Sequence, residues 1–285
     1  MTTWLVTGVT GTLGGNAAIH LRDHVDVVGM SRDGGVLPWC PSVVAGDLLD
    51  PDSLRRAVDA VQPDVILHCA ALADHGACER EPDLAEAVNV IGSEVLASAS
   101  DARFVLISTD AVFSGDTGHY TESDPVSPTT VYGRTKAEAE QRVLATDDAL
   151  VVRTNFFGWS PSGTRSILEF FVRELAQGHQ VPGFTNYTVT STYVGDLLPR
   201  IEALVDGAHS GIVHVASSDA RSKFEFGCLV ADVFGFDRDL IEPALSPIPH
   251  RDLSLDCARV EELLGEAVPT QRAGIVRASR LGSPF

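Results

Sequence analysis

An α/β fold, a doubly wound parallel sheet with a smaller C-terminal lobe, is what this sequence predicts, and three observations carry that expectation. The chain opens with an apolar run, Trp4-Leu5-Val6, then a glycine-rich turn, Thr7-Gly8-Val9-Thr10-Gly11-Thr12-Leu13-Gly14, then a helical run from Asn16 to Leu21. Short apolar runs recur along the first two-thirds of the chain with helical stretches between them, the alternation that builds parallel sheets. Its 285 residues, 44 % hydrophobic and 21 % charged, have ordinary globular composition and enough length for a large core.

The opening strand, turn and helix have the order that a dinucleotide pyrophosphate requires in a Rossmann unit. One glycine permits the tight turn, a second lets bare backbone approach the phosphates, and a third lets helix pack on strand. The helix N-terminus then offers unpaired N–H groups to the anion. Gly8, Gly11 and Gly14 stand in a G-x-x-G-x-x-G spacing, with Thr10, Thr12 and Leu13 completing the cofactor-facing turn. Val25 to Met30 reads as the second strand, and it ends in Ser31-Arg32. An acidic residue at this place holds a ribose 2′-hydroxyl; a small polar residue followed by a guanidinium suits a 2′-phosphate, so NADPH is favoured over NAD. The alternative is a solvent-exposed loop arginine.

A short strand, Ser42 to Ala45, precedes Gly46-Asp47-Leu48, and Asp52 or Ser53 is placed to cap a helix running to about Ala60. Asp47 either meets the adenine edge or is a plain loop aspartate. Val65 to Ala71 reads as the fourth strand, with Ala70 and Ala71 small enough for a ribose to lie on the backbone, or for tight packing alone. His68, a lone histidine in an apolar strand, reads as a core residue. A helix from about Pro82 to Ser100 carries Asn89. The fifth strand, Phe104 to Ile107, ends in Ser108-Thr109-Asp110, at the sheet edge where chemistry collects.

A loop from Phe113 to Pro128 leads to a helix from about Thr130 to Leu144. In it Tyr132 and Lys136, four residues apart, share a face. A tyrosine titrates near ~10, and a neighbouring ammonium is expected to lower that value. Such a phenol can give a proton to a carbonyl oxygen as hydride reaches the carbon, with Thr109 steadying the same oxygen. The other reading is a surface pair that supports the helix. Leu150 to Val152 makes the sixth strand. A helix from Ser166 to Gln177 follows, where Arg165 and Arg173 either meet a substrate pyrophosphate or are solvated. Val194 to Val205 reads as a helix, Ile212 to Val215 as a returning strand and Phe224 to Phe234 as a helix. Pro243 to Pro249 reads as a proline-rich turn, and Ala258 to Leu264 as the last helix. Residues 1–155, with a return at about 186–218, are expected to form the dinucleotide-binding unit, and 156–185 with 219–285 the substrate-binding lobe.

The formal charge of −18 opposes nucleic-acid binding. Only Lys136 and Lys223 are lysines. The five scattered cysteines, without a C-x-x-C pair, argue against a disulfide framework or a zinc site and suit a reducing cytoplasm. No secretory leader or membrane-spanning run is visible.

These motifs together resemble the extended short-chain dehydrogenase/reductases, and more narrowly the dTDP-4-dehydrorhamnose reductase family. The resemblance is carried by T-G-V-T-G-T-L-G at 7–14, H-C-A-A at 68–71, S-T-D-A-V-F at 108–113, V-Y-G-R-T-K at 131–136, R-T-N-F-F-G at 153–158 and R-D-L-S-L-D at 251–256. It implies a catalytic Thr109, Tyr132 and Lys136, a glycine turn of Gly8, Gly11 and Gly14, and an adenine-side contact at Asp47-Leu48; from the residues themselves, Ala70, Ala71 and Ser108 are expected beside the cofactor, and Thr109, Phe156 and Arg165 on the substrate side. Two positions depart from the family pattern: Ala111 stands where a tyrosine is usual and Phe156 where a tryptophan is usual, both on the substrate side. The related 4,6-dehydratases carry T-D-E where this chain has Thr109-Asp110-Ala111, which disfavours water elimination. The implied function is NADPH-dependent reduction of the 4-keto group of a nucleotide-linked deoxysugar. The chain also resembles the regulatory β subunit of methionine adenosyltransferase, so a non-catalytic nucleotide-binding subunit is the alternative; an epimerase retaining NAD is a third, which Ser31-Arg32 disfavours. The expected partners are a nucleotide-sugar or related small-molecule ketone, without nucleic acid or membrane, and a homodimer is left open.

Overall fold

The computed structural model describes residues 2–146, 148–247 and 251–285. Seven strands in chain order, β1 (Thr3–Thr7), β2 (Asp26–Ser31), β3 (Gly35–Leu37), β4 (Cys40–Ala45), β5 (Val65–His68), β6 (Arg103–Thr109) and β7 (Leu150–Thr154), join the strand Gly211–His214 in one sheet of eight. Its order is Gly211–His214, β7, β6, β5, β1, β2, β4, β3, and every pairing is parallel except that of β3 with β4. The expected doubly wound sheet is therefore present.

The period-two geometry of strands divides the core into two layers. Trp4, Val6, Val65, Leu67, Val105, Leu150 and Val152 point to one face and pack with Leu13, Ala17 and Leu21 of α1 (Thr12–Leu21). Leu5, Ile66, Phe104, Leu106 and Val151 point to the other, against Leu54 and Val58 of the helix Pro51–Val61, Leu96, and Ala139 and Val143 of the helix Val131–Val143. Both faces are covered, which is why these strands read as continuous apolar runs. Register aligns their C-terminal ends: Thr7 lies opposite His68 and Met30, and Thr109 opposite Thr154.

Several elements differ from expectation. The helix after β4 is capped by Asp50, whose carboxylate accepts from the Asp52 and Ser53 N–H groups, rather than by Asp52 or Ser53 themselves. Gly34 and Gly35, both at positive φ, turn the chain into the short antiparallel β3, a run too brief to signal itself. The long helix is interrupted: Pro82–Glu86 and Gly92–Ala97 flank a π-turn, Ala87–Ile91, that carries Asn89. The proline-rich segment begins as a strand, Ile241–Ala244, paired with Val181–Phe184; its last residues, 248–249, lie outside the described residues. The helix Ala258–Leu264 is not the last, because Gln271–Leu281 follows. That helix buries Gln271, Gly274, Ile275 and Ala278, a stripe at helical spacing with only one large apolar member. Among the described residues no helix is long and apolar enough to cross a membrane.

Candidate active site

The glycine turn is shaped by close approach. Gly8 has φ +69°, and a Cβ there would lie 2.9 Å from the Ala70 nitrogen. A Cβ at Gly14 would collide with the carbonyl oxygens of Gly8 and Thr7. α1 begins at Gly11, which supplies no side-chain cap, and its first turn carries no acidic residue. The helix thus directs uncapped N–H groups and the positive end of its dipole at open space above the sheet edge, an arrangement that fits a pyrophosphate. Thr7 fixes the next strand end, for its hydroxyl accepts from Ala70 N at 3.0 Å and pairs with His68 Nδ1 at 2.8 Å. His68 Nε2 meets Ser93 at 3.0 Å, and burial, with Lys136 second, pulls this imidazole down to about 3. It is a neutral core residue, as its sequence context suggested.

Arg32 is exposed at the end of β2 and makes no ion pair among the described residues; Ser31 beside it is half-buried. Asp47 turns its carboxylate to the Leu49 N–H at 3.0 Å, and the backbone of Leu48 packs on Gly92.

A cavity of about 230 Å³ opens at the C-terminal ends of β5, β6 and β7. Ala71, Thr109, Tyr132, Asn155, Phe156 and Tyr187 are on its wall, together with Leu13 and Ser108. Tyr132 reaches it from the first turn of the helix Val131–Val143, whose N-cap Thr130 accepts from Gly133 N at 3.1 Å. One turn on, Lys136 is 2 % exposed, and no hydrogen bond or ion pair reaches its ammonium among the described residues. Holding a buried cation without a protein partner is costly. Glu140, the nearest acid along that face, is occupied by Arg153 at 2.7 Å and by the Ser108 hydroxyl.

The electrostatics depart from the sequence expectation. The Tyr132 phenol is raised rather than lowered, by burial first and by Asp110 second, while Thr109 works the other way. Lys136 itself is lowered to about 8, chiefly by burial, with Glu140 and Cys69 opposing. The phenol therefore keeps its proton at neutral pH. Asp110, missed as a participant, is raised to about 6 by burial, with Asn155 and Thr109 pulling it back. Its carboxylate accepts from Asn155 Nδ2 at 2.9 Å and from the Thr109 hydroxyl at 3.0 Å.

Two more residues were not read as functional. His75 packs against Tyr132, with ring centroids 4.7 Å apart and the planes tilted by 42°. Lys223 lies over the rings of Tyr187 at 4.9 Å and Phe184 at 5.9 Å. Lys223 is lowered by burial and raised by Asp110, an acid on the cavity wall; the rarity of lysine was the signal available. The structure does not bring Arg165 or Arg173 to this wall. Arg165 is exposed, with its backbone N–H bonded to Glu169 at 2.9 Å, and Arg173 pairs with Glu174 at 2.9 Å.

Comparison with known proteins adds the following. The family model described as RmlD substrate binding domain matches residues 1–278. The chain is 34 % identical, over 93 % of both sequences, to a Haloferax volcanii protein named as a probable low-salt glycan biosynthesis reductase, Agl14. It is 31 % identical to dTDP-4-dehydrorhamnose reductase of Mycobacterium tuberculosis, covering 98 % of this chain and 92 % of that one. It is 30 % identical to methionine adenosyltransferase 2 subunit beta of Danio rerio, covering 93 % and 85 %. Its fold is like that of dTDP-4-dehydrorhamnose reductase from Bacillus anthracis, solved in complex with NADP, at a TM-score of 0.88 and 24 % identity over 99 % of this chain and 100 % of that one.

Proposed function

The chain belongs to the family of the RmlD substrate binding domain, an NAD(P)-dependent oxidoreductase of the extended short-chain dehydrogenase/reductase type, and on that premise we propose that it uses NADPH to reduce the 4-keto group of a nucleotide-linked deoxysugar. The observation that carries this reading is the unpartnered Lys136 ammonium, buried one helical turn from a cavity-facing Tyr132, beside a glycine turn shaped for a pyrophosphate. Gly8, Thr10, Gly11, Thr12, Leu13 and Gly14 would hold the phosphates, Asp47 and Leu48 the adenine side, and Ala70, Ala71 and Ser108 the nicotinamide half. Arg32 with Ser31 would receive the 2′-phosphate.

NADPH, when bound, supplies the hydride. Tyr132 delivers the proton to the substrate oxygen, and Thr109 turns its hydroxyl from Asp110 to the same oxygen. Lys136 would hold the ribose hydroxyls of the nicotinamide half, and its ammonium, one helical turn from Tyr132, would favour the phenolate as the proton leaves. Phe156 lies on the substrate side. Residues 156–185 and 219–285 would form the lobe that receives the sugar nucleotide, with 1–155 and 186–218 holding the cofactor.

The test is NADPH oxidation in the presence of a 4-keto-6-deoxy sugar nucleotide. Tyr132→Phe is expected to lower kcat by at least a hundredfold with NADPH still bound; turnover retained in that variant removes the mechanism. The likeness to the methionine adenosyltransferase subunit keeps a second reading open, that of a nucleotide-binding regulatory subunit. A partner enzyme that copurifies, with no ketone reduced across a panel of sugar nucleotides, would favour it.

A further inference from the structure

At the end of α1 remote from the glycine turn, three side chains with metal-binding atoms converge. His20 lies in the last turn of α1, His24 just beyond it, and Glu202 on the helix Val194–Asp206. His20 Nε2 stands 2.9 Å from one Glu202 oxygen and His24 Nδ1 3.1 Å from the other, and the ligand atoms of all three lie within 4.8 Å of one another. The imidazole rings meet edge to face at 5.6 Å. The Glu202 side chain is only 19 % exposed, yet no lysine or arginine pairs with it among the described residues.

We infer that His20, His24 and Glu202 form a binding site for a divalent transition-metal ion. Two imidazoles and a carboxylate are the donor set that zinc accepts alongside a water. Zinc–ligand bonds of about 2.0–2.1 Å set the edges of a tetrahedron near ~3.3 Å. His20 Nε2 and His24 Nδ1 each stand a few tenths of an ångström short of that length, from different oxygens of Glu202, so seating the ion takes a small rotation of the carboxylate that presents one oxygen to both nitrogens. The His24 side chain, 53 % exposed, leaves a path for the ion and its water. The cysteine pattern that set zinc aside in the sequence has no bearing on this site; its signal is the H-x-x-x-H spacing of His20 and His24 across the helix end. The ion would clip the C-terminal end of α1 to the helix Val194–Asp206. That helix follows the strand Thr192–Tyr193, which pairs with Phe156–Phe157 beside the cavity. The rival is a hydrogen-bonded triad, in which neutral imidazoles donate to the carboxylate and no ion is needed.

Calorimetric titration of tag-free, EDTA-stripped protein with Zn²⁺ separates the two. One ion per chain is expected, together with a rise in melting temperature that Mg²⁺ does not give. His24→Gln and Glu202→Gln should each weaken Zn²⁺ binding at least tenfold and abolish the rise. Circular dichroism of the stripped variants checks that they fold, and the exposed His24→Gln serves if Glu202→Gln does not. Co²⁺ gives a second readout: tetrahedral visible bands without thiolate charge-transfer absorption. Unchanged stoichiometric binding in His24→Gln, thiolate bands with Co²⁺, or no binding at all overturns the inference.

Discussion

At the scale of single residues, the cavity wall and the helix behind it hold ionisable groups that the fold pays to keep. Lys136 is lowered from 10.5 to about 8, so its charged form is disfavoured in the folded chain. The sign follows by linkage: the shift favours folding above pH 10.5, and that benefit is lost as pH falls through about 8, leaving a burden of up to about 3 kcal/mol at neutral pH. Lys136→Met, close in volume, should raise the melting temperature at pH 7 while removing turnover, and the advantage should shrink between about pH 8 and 10.5. Glu140 keeps Arg153 in the variant, so no new orphan charge offsets the gain. A variant that melts at the wild-type temperature across that range would show the ammonium to be solvated. Asp110 behaves oppositely along the pH axis. Its carboxyl is raised from 3.8 to about 6, so the stabilising contribution is complete below the lower value and is lost as pH rises through the upper. Urea unfolding should therefore show wild type losing up to about 3 kcal/mol relative to Asp110→Asn between about pH 4 and 7. Parallel curves would mean that the carboxylate is not desolvated as its 2 % exposure implies.

At the scale of elements, the π-turn Ala87–Ile91 decides where the wall after β5 stands. Asn89 accepts from Leu72 N at 2.8 Å, and its amide donates to Leu72 O at 3.2 Å and to Thr135 at 3.0 Å, tying that loop to the helix that carries Tyr132 and Lys136. Asn89→Ala leaves buried backbone groups short of partners, which costs about 1–3 kcal/mol. Denaturant unfolding should show that loss together with weaker NADPH binding, since Ala71 and Ala73 line the cavity from the same loop. A loss in stability with unchanged affinity would separate the turn from the site. What the sequence made legible follows from the same physics. β1, β5, β6 and β7 are buried on both faces and so appear as unbroken apolar runs, and the glycine turn and the Tyr132/Lys136 spacing are local patterns. The helix Gln271–Leu281 hides because glycine, alanine and glutamine fill most of its buried stripe. The direction of the Tyr132 shift was equally hidden, because it depends on burial and on Asp110, brought alongside only by the sheet. Tyr187 and Asn155 come to the cavity from two separate segments, and Lys223 reaches the Tyr187 ring from a third, which no spacing rule anticipates.

At the scale of the whole molecule, one apolar cluster runs from Trp4, Leu13 and Val152 at the sheet through Phe157 and Tyr193 to Phe171, Phe226, Val260 and Ile275. The segments assigned to the lobe therefore share a core with the nucleotide-binding layers, and Trp159 adds a bond from its indole N–H to Ala278 O at 3.0 Å. Cooperative unfolding follows, because exposing either part strips apolar cover from the other. Chemical denaturation followed by circular dichroism and by tryptophan fluorescence should give coincident single transitions, and two resolved steps would mean a lobe that folds alone. The same continuity fixes how far a ligand's stabilisation spreads. NADPH at a hundred times its Kd adds about 2.7 kcal/mol to a two-state fold. Hydrogen exchange through global opening should then slow by about a hundredfold both in α1, which would touch the ligand, and in the helix Gln271–Leu281, which would not. Slowing confined to α1 would show that the shared core does not make one cooperative unit.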